Sequence, residues 1–137
     1  MVSISSIYEN GLRCVAKHGP SGVEIVTDAP LDNHGKGLAF SPTDLLATSL
    51  GTCMMTTMAI VAERAGLDLT GSTLHIEKHM AALPVRKVAR VVVVIHVPVA
   101  IEETMRQRLT AAANACPVHH SLHPDLVIDL TINWQGI

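Results

Sequence analysis

Between Asp44 and Glu63 the chain runs for 18 residues without a charged side chain. Ser41-Pro42-Thr43-Asp44 opens this run. Serine is a favoured N-cap, proline fits the first helical position, and an acid three residues after the cap closes a capping box. Gly66 supplies the stop. The pattern predicts a helix from Pro42 to Ala65, roughly 36 Å long at ~1.5 Å per residue. A helix apolar nearly all round is either central in a protein or crosses a bilayer. Thr48, Ser49, Thr52, Thr56 and Thr57 dilute the segment, and it stands alone between stretches that read as strands. The expectation is a buried central helix and no membrane partner. Such a helix needs cover on every side, more than one small domain supplies, which points to a homodimer.

The flanking segments fit a single domain over residues 1–137. Leu12 to His18 and Val23 to Asp28 read as strands joined by the loop Gly19-Pro20-Ser21-Gly22. Pro30 to Phe40 reads as a loop. Ser72 to Met80 and Lys87 to Val97 are further strands. Val91 to Ile95 is apolar on both faces, which places the second of these centrally in its sheet. Glu102 to Ala115 is a second helix, stopped by Cys116-Pro117. Pro117 to Leu122 forms a short turn, and Val127 to Trp134 is a last strand. The order ββαββαβ predicts an α+β domain with antiparallel sheet.

Aromatic residues make up only 2% of the chain, so Val, Ile, Leu, Ala and Met must build the core. The formal net charge is −2, and no run of like charges stands out, so a nucleic-acid partner is not expected. The N-terminus lacks a basic stretch followed by an apolar run, so a signal peptide is not expected either. Three cysteines form an odd set, too sparse for a secreted disulfide scaffold. A cytoplasmic protein with reduced thiols is the expectation. Gly35-Lys36-Gly37 lacks the spacing of a phosphate loop, and no cofactor is implied.

The thiols are the chemically interesting groups. Cys53 sits midway along the apolar helix among Gly51, Thr52, Met54 and Met55. Cys116 stands at the N-cap of the short turn, where free backbone N–H groups and the helix dipole favour a thiolate. One thiolate can attack a peroxide oxygen and a second thiol can then capture the sulfenic acid as a disulfide. The competing reading of Cys53 is a small buried hydrophobe, the commoner fate of a free cysteine. Cys14 lies in a strand with no activating feature and reads as structural. The chain also carries eight histidines. His75, Glu77 and His79 alternate on one strand face, a pattern that can hold zinc but more often is a solvated surface. Cys116, His119, His120 and His123 form a second cluster. There a histidine that steadies the Cys116 thiolate or passes a proton is a better reading than a metal site.

Two segments carry a family resemblance. Ser41-Pro42-Thr43-Asp44-Leu45-Leu46-Ala47-Thr48-Ser49-Leu50-Gly51-Thr52-Cys53 resembles the first cysteine motif of the OsmC/Ohr family: a proline, an acid, a leucine-rich turn, small residues, then cysteine on a long helix. Ala115-Cys116-Pro117-Val118-His119-His120-Ser121-Leu122 resembles its second, the Cys-Pro motif. Asp28-Ala29-Pro30 followed by Gly35 and Gly37 resembles the early loop, and the strand ending near Trp134 fits the end of the domain. The resemblance implies an intertwined homodimer in which antiparallel sheets enclose a long central helix and a second helix. It implies a site at the dimer interface, with Cys53 attacking the peroxide, Cys116 resolving it, and a dithiol, possibly lipoyl-type, as reductant. It makes Asp44 a third candidate catalytic residue. The hydroperoxide-resistance members place a glutamate directly after the motif proline. That position is Thr43 here, and Asp44 follows it. Those members pair the acid with an arginine near the first hairpin, where this chain offers Lys17 and His18, with Arg13 out of place.

The expected function is therefore a cysteine-based peroxidase that reduces organic hydroperoxides. Two alternatives stay open. One is a dimer of the same fold that holds an apolar ligand with silent cysteines. The other is a metal-binding or redox-sensing protein built on Cys116 and its histidines.

Overall fold

The computed structural model describes residues 1–135. The chain divides into two compact units, Met1–Leu46 and Ala47–Ile137.

The first unit holds an antiparallel sheet of β1 (Ile4–Asn10), β2 (Arg13–His18) and β3 (Glu24–Asp28), in that order. β1 is an addition to the strands expected from the sequence. Its stretch Ile-Ser-Ser-Ile-Tyr-Glu-Asn does not alternate, and all seven residues are exposed, so no periodicity marks it. Its turn does. Asn10, Gly11 and Leu12 take φ of 83°, 62° and 62°, the left-handed region that tight hairpins use and that Asn-Gly tolerates best. The second hairpin closes as expected: His18 N–H donates to the Val23 carbonyl at 2.9 Å, and Gly22 N–H to that of His18 at 2.8 Å. Cross-strand register sets Ile7, Val15 and Val26 in one row on one face of this sheet.

After β3 the chain makes a short 3-10 turn over Leu31–Asn33 and folds back on itself. Gly35 allows this, because a Cβ there would run into the Ala29 carbonyl. Asp28, only 3% exposed, anchors the loop. Its carboxylate accepts from Arg13 Nε at 2.7 Å, Arg13 Nη2 at 2.9 Å and Leu38 N–H at 3.0 Å.

Helix α1 (Pro42–Arg64) starts with the capping box that the sequence predicts. Asp44 N–H donates to Ser41 Oγ at 3.1 Å, and Ser41 N–H donates to Asp44 Oδ2 at 2.8 Å. At its other end Gly66 takes φ 74°, and Leu67 N–H donates to the Ala62 carbonyl at 2.9 Å, a glycine-terminated helix end.

The second unit contains β4 (Thr73–Ala81), β5 (Lys87–Ala100), α2 (Glu103–Asn114), α3 (Pro117–Ser121) and β6 (Val127–Gln135). The sheet order is β4-β5-β6, so β5 is central, as its apolar run predicts. The expectation of antiparallel pairing holds for β4 with β5 but not for β6, which runs parallel to β5. The connection between them is a helical crossover through α2 and α3, and a crossover returns the chain in its original direction. Burial on β5 alternates: Val91, Val93, Ile95 and Val97 are buried, whereas Val92 and Val94 are half-buried. The core gathers these four residues with Leu50, Met54 and Met58 of α1 and Leu109 and Ala113 of α2.

Candidate functional site

Helix α1 carries Cys53 to the edge of that core. Ala47, Leu50, Gly51, Met54, Met58 and Ala62 recur at three- and four-residue intervals and are buried. Ser49, Thr52, Thr56 and Ile60 lie exposed. The single chain therefore buries one face of this helix rather than its whole circumference. Thr52, Thr56 and Thr57 each donate at 2.8 Å to the carbonyl four residues earlier. Their hydroxyls are thus satisfied within the helix. Cys53 is half-buried beside the buried stripe and packs against the core. Two residues before it, Gly51 brings the helix backbone against Leu74 and Ile76 of β4, so closely that a Cβ would collide with Ile76.

Cys116 lies between α2 and α3. Its extended backbone, φ −67° and ψ 147°, turns the chain out of α2, and Pro117 starts the next helical turn. The residue is fully buried, and its Sγ accepts the His119 N–H at 3.3 Å. The two cysteines belong to the same apolar cluster, and Cys53 is near enough to act on the Cys116 thiol. Burial pushes the Cys116 thiol above its ordinary range. The Cys53 sulfur raises it further, as hydrogen-bond partner and as neighbouring charge, while the N–H groups of His119 and Val118 act in the opposite sense. These surroundings together disfavour the Cys116 thiolate. All three cysteines are free thiols, and Cys14 lies half-buried in β2, within the first unit.

The histidines sort differently. His119 Nδ1 is buried and has no hydrogen-bond partner among the described residues. The His119 and His120 rings stack with centroids 6.0 Å apart. His123 accepts the Asp125 N–H on Nδ1 at 3.1 Å. On β4, His75 and His79 each approach one carboxylate oxygen of Glu77, at 3.2 and 3.3 Å, on an exposed face. These contacts hold the Glu77 carboxyl below its usual range. Among the described residues, no three His, Cys, Asp or Glu side chains are arranged to hold a metal ion.

Asp44 is the capping residue of α1, nine positions before Cys53. Arg13 is committed to Asp28 through two parallel hydrogen bonds, an engagement that sequence spacing gave no means of seeing.

The sequence profile of the family described as OsmC-like protein matches residues 34–131, which span both cysteine segments. The chain belongs to the OsmC-like family. A protein of Psychrobacter arcticus, provisionally described as an osmotic stress induced and detoxification response protein, is 42% identical. The match covers 97% of this chain and 96% of that one, with a TM-score of 0.92. The same OsmC-like fold recurs in an organic hydroperoxide resistance protein OsmC of Legionella pneumophila, with 17% identity, TM-score 0.77 and coverage of 97% and 96%. It recurs again in an organic hydroperoxide resistance protein of Elizabethkingia anophelis, with 15% identity, TM-score 0.78 and coverage of 98% and 96%. No curated protein matches this OsmC-like chain.

Proposed function

We propose that this chain is a thiol-dependent peroxidase that reduces organic hydroperoxides. The observation that carries the reading is a half-buried Cys53 in one apolar cluster with a buried Cys116, near enough to act on a thiol whose pKa burial pushes up. That asymmetry divides the labour. Cys53 is the more accessible sulfur, and as a thiolate it attacks the distal peroxide oxygen. The O–O bond breaks, an alcohol leaves, and Cys53 becomes a sulfenic acid. Cys116 then displaces hydroxide from that sulfur and closes a disulfide, which a dithiol reductant, of lipoyl type, reopens by exchange. Met54, Met55 and Val118, close to the cysteines in sequence and part of the same apolar cluster, favour an apolar hydroperoxide over hydrogen peroxide. Asp44 contributes by fixing the start of the helix that carries Cys53. Family members described as organic hydroperoxide resistance proteins support the substrate class.

The working species in this reading is a homodimer. Ile7 of β1 and Val26 of β3, in one row with Val15 of β2, are 71% and 38% exposed. An apolar sheet of this kind calls for cover by another surface.

The deciding experiment follows cumene hydroperoxide consumption by the dithiol-reduced protein, with Cys53→Ser and Cys116→Ser alongside. Turnover should vanish in Cys53→Ser, and Cys116→Ser should accumulate a trappable sulfenic acid. Absence of consumption by the wild type with every dithiol tried would leave a binding protein with silent cysteines.

A further inference from the structure

Asn10 precedes a glycine in the hairpin turn between β1 and β2, and Asn10, Gly11 and Leu12 are all exposed. The Gly11 nitrogen lies 2.7 Å from Asn10 Oδ1, an atom bonded directly to Cγ of that side chain. The asparagine amide is therefore folded back over the next peptide nitrogen instead of extending into solvent. Gly11 has no side chain to crowd that approach, and the space beside it is open: a Cβ there would meet no described atom within 4 Å. The turn also carries three left-handed residues in succession, a conformation that glycine and asparagine accept and leucine disfavours. We propose that Asn10–Gly11 is a self-modifying turn: Asn10 loses its amide nitrogen as ammonia, and the product opens the β1–β2 hairpin.

The chemistry draws only on water. The Gly11 nitrogen gives up its proton and bonds to Cγ of Asn10. The Cγ–Nδ2 bond breaks, and ammonia leaves with that proton. Water then opens the cyclic imide at either of its two carbonyls. One opening gives aspartate. The other gives isoaspartate, in which the main chain runs through Cγ. No electrons are exchanged. Asparagine is a thermally labile residue, and its neighbour decides where the lability is expressed. Asn33, Asn114 and Asn133 precede His34, Ala115 and Trp134, whose side chains crowd the nitrogen. Asn114 Nδ2 is also held on the Thr110 carbonyl at 3.1 Å.

The fold makes this position matter. Asn10 pairs with Arg13 and so closes the hairpin. Isoaspartate adds one main-chain atom inside that closure and replaces the turn geometry that left-handed Asn10 supplies. β1 is an edge strand, hydrogen-bonded to β2 alone in its sheet, and all seven of its residues are exposed. Once the turn is lengthened, burial contributes little to keep the strand in place.

The test ages the full chain at pH 5 and pH 8, native and in urea. Digests are read by mass spectrometry, and isoaspartate is scored with an isoaspartyl methyltransferase. In the native protein at pH 8, Asn10 should convert with isoaspartate as a product, while Asn33, Asn114 and Asn133 stay intact. Conversion should be slower at pH 5, because the attacking nitrogen must lose its proton. The modified fraction, separated by its added negative charge, should show faster hydrogen exchange in β1 and unchanged exchange in β5. Asn10→Ser, which has no amide to lose, should age without isoaspartate at residue 10 and without the change in exchange. An Asn10 that converts in urea but stays intact in the native protein overturns the proposal, since the turn then protects the residue. Native conversion of Asn33 at the same rate also overturns it, because the turn then adds nothing. A modified fraction whose β1 exchanges at the unmodified rate removes the opening of the hairpin.

Discussion

Gly51 of α1 lies against Ile76 of β4 so closely that a Cβ would collide with Cδ1 and sit 2.9 Å from Cγ1. Gly51→Ala therefore sets two effects against each other. Alanine gains about 1 kcal/mol of helix propensity. Overpacking a filled contact costs about 1–3 kcal/mol. The Cδ1 clash can be relieved by rotating the end of Ile76, but the Cγ1 contact needs a change of χ1, which is stiff in a β-branched side chain. A net loss of about 1 kcal/mol is expected in urea denaturation. Because the displaced turn is the one that leads to Cys53, disulfide closure should slow as well. A variant more stable than the wild type would show that Ile76 has room to retreat.

The Arg13–Asp28 pair sets an acid limit on stability. Two guanidinium hydrogen bonds outweigh the desolvation of the buried carboxylate and hold its pKa below the ordinary value, helped by the Leu38 N–H. A carboxyl depressed in the folded state stabilises it above the unfolded pKa, about 3.9. That contribution is lost as the pH falls through the lower, folded value. Unfolding free energy measured from pH 6 to pH 2 should decline below about pH 4 in the wild type. Asp28→Asn should be less stable at pH 6 and show a shallower acid decline. An unchanged slope in the variant would place the acid sensitivity elsewhere.

How much of this was legible beforehand depends on the residue. The capping box at Ser41 and Asp44, the glycine stop at Gly66 and the central position of β5 follow from local rules and appear in the structure. The approach of Cys53 to Cys116 rested on resemblance, because no local rule spans the 62 residues between them. β1 went unseen because its exposed residues carry no period, although Asn10-Gly11 was a usable hairpin signal. The parallel pairing of β6 follows from α2 and α3 acting as a crossover, which no residue of β6 itself signals. Arg13 and Asp28 stand 15 positions apart, and only register across two strands aligns them.

Thiol reactivity should separate the cysteines. Iodoacetamide pulses on the reduced native protein, read by mass spectrometry, should label Cys53 first and Cys116 at least about tenfold more slowly, because the reactive form is the accessible thiolate. In urea the two rates should converge. The raised pKa of Cys116 also predicts an alkaline limit. A thiol held more tightly in the folded state stabilises it below the unfolded value, about 8.5, and that contribution fades as the pH rises through the folded value. Cys116 labelled ahead of Cys53 in native buffer would reverse the proposed roles.

The row Ile7, Val15 and Val26 supplies a test of assembly. A homodimer that covers this face should sediment as a dimer at micromolar concentration. Ile7→Glu places a charge on a strand residue that is 71% exposed in the single chain, so it should leave the monomer folded and weaken association by at least about tenfold. A wild type that sediments as a monomer at all concentrations would remove the dimer from the mechanism.

The last expectation concerns the oxidised protein. A Cys53–Cys116 bond would close a loop with 62 residues between its ends, and restricting the unfolded chain by that much stabilises the fold by about 4 kcal/mol on the chain-entropy model. Cys53 is near enough to act on the Cys116 thiol, so closing the bond should need only a local approach of the two side chains. Urea denaturation of wild type treated with one equivalent of peroxide should therefore show a higher midpoint than the reduced form. The shift should disappear on adding dithiol. Cys116→Ser should show none, and Cys14→Ser should show all of it. A peroxide-treated wild type less stable than the reduced protein would mean that closing the bond pulls the α3 turn out of place. Rapid reduction by dithiols would then be driven by that strain rather than by exposure of the bond.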